Sequence, residues 1–83
     1  MLMRDRNQKD ECSRALAEAE KMFRAVLDQN PADAGAWNGL GSVVGLSGNF
    51  KKALEYVEKA LEIEPDYKEA IQDRKTFQSL LKS

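Results

Sequence analysis

The sequence predicts an all-α fold of about four antiparallel helices joined by short turns. Apolar residues recur at three- and four-residue steps in four segments, and no segment shows the alternation typical of a strand. The breaks between the segments are the second observation, because Pro31 and Pro65 stand 34 residues apart with Gly48 between them. Short links between amphipathic helices favour antiparallel neighbours.

The first predicted helix runs to about Gln29, and two starting points are compatible with the sequence. No glycine or proline lies between Leu2 and Asn30, so residues 1–12 are either an extension or the start of a long first helix. Residues 13–83 are then a single helical domain. The apolar stripe of this helix predicts that Cys12 is buried; it consists of Cys12, Leu16, Ala19, Phe23, Val26 and Leu27.

The second predicted helix, about Ala34–Ser47, begins after Asp33, a good capping residue. Trp37, Leu40 and Val44 lie on one side at helix spacing. The opposite side is small and neutral, and consists of Gly35, Asn38, Gly39, Ser42, Gly45 and Leu46.

Each interior glycine in that helix costs about 1 kcal/mol relative to alanine, so their number needs an explanation. One explanation is sequence drift, or crowding by the first and last helices of the same chain. The other is that the glycine face receives a backbone from another molecule. If the face is open in this way, Gly39→Ala is expected to raise helix stability by up to about 1 kcal/mol.

The third and fourth helices follow two further breaks. Gly48 stands where a helix C-terminus needs a left-handed residue, and the third helix covers about Phe50–Glu64. The last helix covers about Tyr67–Leu81, and Asp66 and Glu69 have capping-box spacing at its start.

An overlay of the sequence on itself at the proline offset places Ala19 on Ala53, Phe23 on Val57 and Pro31 on Pro65. This unit resembles the tetratricopeptide repeat, a 34-residue helix–turn–helix motif. The full match covers Ala34 to about Tyr67, preceded by half a repeat and followed by a closing helix. Val44 and Val57 replace the usual aromatics. The matching signature residues are Trp37, Leu40, Gly41, Gly48, Phe50, Ala53, Ala60 and Pro65.

The resemblance implies a protein–protein interaction module, because the first helix of each such unit lines the inner, ligand-holding surface. We therefore predict a neutral, glycine-lined groove that takes a peptide or helix. Its predicted residues are Gly35, Asn38, Gly39, Ser42, Gly45, Leu46, Glu69 and Asp73. The alternative is a structural scaffold, in which two copies associate as a homodimer and no independent ligand binds.

Chaperone C-terminal tails are not expected as ligands. The family members that hold these acidic tails use basic side chains, and by repeat spacing Glu69 and Asp73 occupy two of those slots. Acidic side chains there would repel a terminal carboxylate.

Composition argues against other classes of function. Histidine is absent, which removes the commonest general base and metal ligand, so we expect no enzyme activity, metal or cofactor. The 13 basic and 14 acidic residues are spread along the chain, so no nucleic-acid partner is expected. The glycines and polar residues of the second helix argue against a membrane span. A single cysteine and the absence of a secretory signal favour the cytoplasm.

Overall fold

The structure is a computed structural model that describes the backbone of residues 2–82 and the side chains of residues 14–82. It contains four helices: α1 (Leu2–Gln29), α2 (Ala34–Leu46), α3 (Phe50–Ile63) and α4 (Lys68–Lys82). No strand occurs in residues 2–82, so the all-α prediction is confirmed. Consecutive helices pack on each other, and α2 also touches α4. The side chain of Cys12 is not among those described, so its burial stays a prediction.

Local capping sets both ends of α2 and the start of α3. The Asp33 side chain accepts a hydrogen bond from the Ala36 amide at 3.0 Å, as predicted. Gly48 ends α2 with a φ of 93°, the left-handed conformation predicted for it. Asn49 then caps α3 by accepting from the Lys52 amide at 3.2 Å. These bonds satisfy amides that the first turn of a helix leaves free.

The capping box predicted at the start of α4 does not form. The helix begins at Lys68, and the Tyr67 carbonyl accepts from the Ile71 amide at 3.0 Å. Asp66 therefore precedes the capping position, and its side chain makes no hydrogen bond to a described residue. Glu69 falls in the first turn, where its charge complements the positive helix end.

The core lies between α2 and α3 and extends to Ala70 and Phe77 of α4. Leu40 and Val57 are the largest side chains that are fully buried, and Ala53 and Ala60 are 0% exposed. Gly41 permits this contact, because a Cβ built on it would lie 2.7 Å from Val57 Cγ2 and 3.1 Å from the Ala53 carbonyl oxygen. The close approach explains the signature glycine of the resembled repeat.

Two other glycines of α2 lie against aromatic rings of the same chain. A Cβ on Gly39 would lie 2.5 Å from the Phe23 ring of α1. A Cβ on Gly45 would lie 2.6 Å from the Phe77 ring of α4. Both distances are too short for a real contact, so a side chain at either position would displace a ring. Of the two explanations for the glycines, these contacts support crowding by the first and last helices.

The expectation that Gly39→Ala stabilises the helix is revised accordingly. We expect the alanine to destabilise the chain, because displacing the Phe23 ring costs about 1–3 kcal/mol against a gain of up to about 1 kcal/mol in helix propensity. In a Phe23→Ala background the ring is gone, and the same Gly39→Ala change should then raise stability. Urea unfolding of the four proteins in this double-mutant cycle measures the difference.

Gly35→Ala is the matched control for this cycle. A Cβ there meets only the Asp33 Oδ1 atom at 3.3 Å and the Tyr67 hydroxyl at 3.7 Å. Its effect on stability should be the same in both backgrounds. An equal effect of Gly39→Ala with and without Phe23 would contradict the packing described above.

Candidate partner-binding groove

A groove of about 530 Å³ lies between α2 and α4. Its lining comes from one face of α2 and one face of the first two turns of α4. Four of the eight residues predicted for the site contribute, namely Asn38, Ser42, Glu69 and Asp73. The structure therefore brings the polar members of the predicted site together.

Asn38 is the residue of the groove with the most unusual environment. It is only 8% exposed, although it lines the groove. Its Oδ1 atom is buried and has no hydrogen-bond partner. An unsatisfied buried acceptor costs about 1–3 kcal/mol, so such atoms are rare in folded proteins.

Negative charge gathers beside Asn38 at the end of the groove where α4 begins. The Tyr67 hydroxyl lies there, close to Gly35. Burial raises the pKa of Tyr67 above its usual value, and the charges of Glu69, Glu64 and Asp33 raise it further, while a side-chain hydrogen bond with Asn38 opposes the rise. The Tyr67 phenol therefore remains neutral, and the negative charge at this end of the groove comes from the carboxylates around it.

The other four predicted residues do not line this groove. Phe23 covers Gly39, and Phe77 covers Gly45, so both glycines are used in packing within the chain. Gly35 is exposed near Tyr67 at the start of α2. Leu46 is the last residue of α2 and is 76% exposed.

Sequence reasoning missed two residues of the groove, Lys68 and Gln72. Gln72 lies three residues after Glu69 and therefore on the same face of α4, so helical spacing was a sufficient signal for it. Lys68 depends on where α4 begins. The predicted helix began one residue earlier, which obscured its place at the groove.

Three of the other grooves among the described residues each differ from this one in character. One of about 570 Å³ between α3 and α4 is lined mainly by charged, exposed side chains, including Glu55, Glu58 and Glu62. One of about 430 Å³ has Trp37 and Tyr56 in its wall, with the two rings 5.9 Å apart. The last, of about 420 Å³, lies on α1 beside Met22 and Val26. None of the three contains a buried polar atom without a partner.

No metal-binding cluster of three or more histidine, cysteine or carboxylate side chains occurs in the part of the chain whose side chains are described. Within the same part, none of the helices is long and apolar enough to cross a membrane.

A human protein is similar to part of the chain. Protein O-mannosyl-transferase TMTC1 of Homo sapiens is 34% identical over 53 residues. These residues are 64% of this chain but only 6% of the human protein. The similarity therefore concerns a short segment of a much longer relative.

A family model describes the centre of the chain. The tetratricopeptide repeat model matches residues 34–67, which include α2, α3 and the turn before α4. The match has the bounds that the sequence predicted for the complete repeat. It agrees with the observed packing, in which Gly41 on α2 faces Val57 and Ala53 on α3. Residues 34–67 of the chain are accordingly a tetratricopeptide repeat.

Proposed function

We propose that the chain is a protein–protein interaction module that holds an extended peptide in the groove between α2 and α4. Tetratricopeptide repeats generally mediate protein interactions, which supports the class of function. The observation that carries the finer proposal is the unpaired Asn38 oxygen beside an open groove.

Asn38 suits the recognition of a main chain. An asparagine amide offers one acceptor and two donors, which match the N–H and C=O groups of a peptide bond. A ligand N–H that reaches the Oδ1 atom, after a rotation of the amide, would remove the cost of leaving this acceptor unsatisfied. The free energy of peptide binding is thus more favourable, because the peptide satisfies an acceptor that has no partner in the free protein.

The glycines have a different role in this proposal from the one that the sequence suggested. Gly39 and Gly45 do not receive the ligand, because rings of the same chain occupy the space above them. Gly39 lets α1 approach α2, and Gly45 lets α4 approach α2, which positions the two helices that form the groove. The ligand meets the polar side chains that remain, Asn38 and Ser42 on α2 and Gln72 on α4.

Blocking the groove should abolish binding without harming the fold. Ser42 lines the groove and is half-buried, and arginine has a higher helix propensity than serine. We expect Ser42→Arg to keep its thermal stability but to lose binding to peptides that the unmodified chain selects from a displayed random library. The loss should be at least about tenfold in Kd, since the new side chain excludes the ligand.

Gln78→Arg is the control, because it adds the same charge at an exposed site on α4 outside the groove. It should bind the selected peptides as the unmodified chain does. Selected peptides that bind Ser42→Arg equally well would contradict the groove, as would a library from which the chain selects nothing.

Self-association is a second candidate function, favoured by the outer face of α1. Met22 is 62% exposed and Val26 is 38% exposed, and together with Ala25 they line a groove that none of the described helices covers. Such a face is normally covered by the neighbouring helix of a repeat stack. A second copy related by two-fold symmetry would cover it and give a homodimer that acts as a scaffold.

Sedimentation at micromolar concentration tests this candidate. A homodimer built on α1 should give the mass of two chains, and Met22→Glu should convert it to a monomer by placing a charge in the interface. Leu46→Glu, on the exposed end of α2, is the matched control and should leave the dimer intact. The mass of a single chain in the unmodified protein would eliminate this candidate.

Three further features belong to the proposal. Residues 13–83 form the interaction domain, and residues 2–12 are the start of its long first helix. The chain acts in the cytoplasm. It has no catalytic activity of its own, as is typical of the family. The human transferase that is similar to part of the chain is a far longer protein. Acidic chaperone tails are not its ligands, because Glu69 and Asp73 line the groove.

A further inference from the structure

Two carboxylates on one wall of the α2–α4 groove lack partners. Glu69 and Asp73 lie one turn apart on α4, and neither forms an ion pair with a described residue. The helix end explains Glu69, which stands in the first turn. Asp73 lies a full turn further on, where this effect has faded, and it is half-buried. Its charge is therefore balanced neither by the helix end nor by an ion pair with a described residue.

The opposite wall supplies an independent sign of a ligand. Asn38 is buried except for 8% of its surface, and its Oδ1 atom is unpaired beside the same groove. A hydrogen-bond donor would satisfy this oxygen, and a cation would balance the two carboxylates. A single ligand can supply both the donor and the cation.

The charge of the groove favours a basic ligand. Lys68 is the one basic residue of its described lining, against the two acids Glu69 and Asp73. Asp33 and Glu64 extend the negative field past Tyr67 at the same end of the groove. A ligand cation in this groove would be attracted by both carboxylates, with the modest strength of an ion pair near the protein surface.

We propose that the groove selects a peptide segment that carries a lysine or arginine side chain. The cation of that side chain lies between the carboxylates of Glu69 and Asp73, and a nearby main-chain N–H donates to Asn38. This inference rests on the proposed peptide-binding function and adds the chemistry of the ligand to it. Arginine suits the site best when its guanidinium spans both carboxylates.

Synthetic versions of a library-selected peptide test the inference. The peptide is prepared with its basic residue unchanged, replaced by norleucine, and replaced by glutamate. Fluorescence anisotropy then gives the Kd of each for the unmodified chain. The basic peptide should bind about three- to tenfold more tightly than the norleucine peptide, and the glutamate peptide should bind most weakly. Added salt should reduce the difference.

A double variant assigns the preference to the two carboxylates. In Glu69→Gln with Asp73→Asn, the basic and norleucine peptides should bind with the same Kd. The control, Glu58→Gln with Glu62→Gln, changes the net charge equally but lies at the groove between α3 and α4. It should keep the preference for the basic peptide.

The outcomes separate this inference from the function on which it rests. Equal binding of the basic and norleucine peptides to the unmodified chain, still lost in Ser42→Arg, would overturn the charge preference alone. A preference that survives in the Glu69→Gln, Asp73→Asn variant would also overturn it. Failure of the chain to select any peptide would overturn the groove function and this inference together.

Discussion

The close approach of three helices to α2 is the constraint on which the rest of the structure depends. Three glycines make it possible: Gly39 faces Phe23 of α1, Gly41 faces Val57 of α3, and Gly45 faces Phe77 of α4. Each glycine costs about 1 kcal/mol in helix propensity, but a buried apolar side chain such as Val57 or Phe77 contributes about 1.5–3 kcal/mol. In a chain of 83 residues, which has little surface to bury, α2 is thereby the central element that every other helix touches.

The same constraint shapes the candidate site. Because the rings of Phe23 and Phe77 fill the space over two glycines, the surface left between α2 and α4 is polar. A groove lined by glycines would bind the backbone of a ligand through shape complementarity alone. The observed groove offers two amides, a hydroxyl, two carboxylates and one ammonium group, so its selectivity has to come from hydrogen bonds and charge. This difference is why a basic peptide, rather than an apolar helix, is the ligand that we propose.

Most of the fold could be predicted from the sequence, and the site only in part. Periodicity and the breaks at Pro31, Gly48 and Pro65 located the helices, because these signals are local. The groove depends on which side chain of another helix lies over each glycine, and no local pattern shows that Phe23 reaches Gly39. Asn38 was placed correctly on its face by helical spacing. Its unpaired oxygen is a property of packing, and the sequence gives no sign of it.

The nuclear Overhauser effect between aromatic ring protons and glycine α protons tests the central claim most directly. It is measured on the free chain in solution, with no ligand and no substitution. The account predicts cross-peaks from the Phe23 ring to Gly39 and from the Phe77 ring to Gly45. If both rings instead show contacts only within their own helices, the glycines of α2 do not hold α1 and α4, and the groove described between α2 and α4 is wrong.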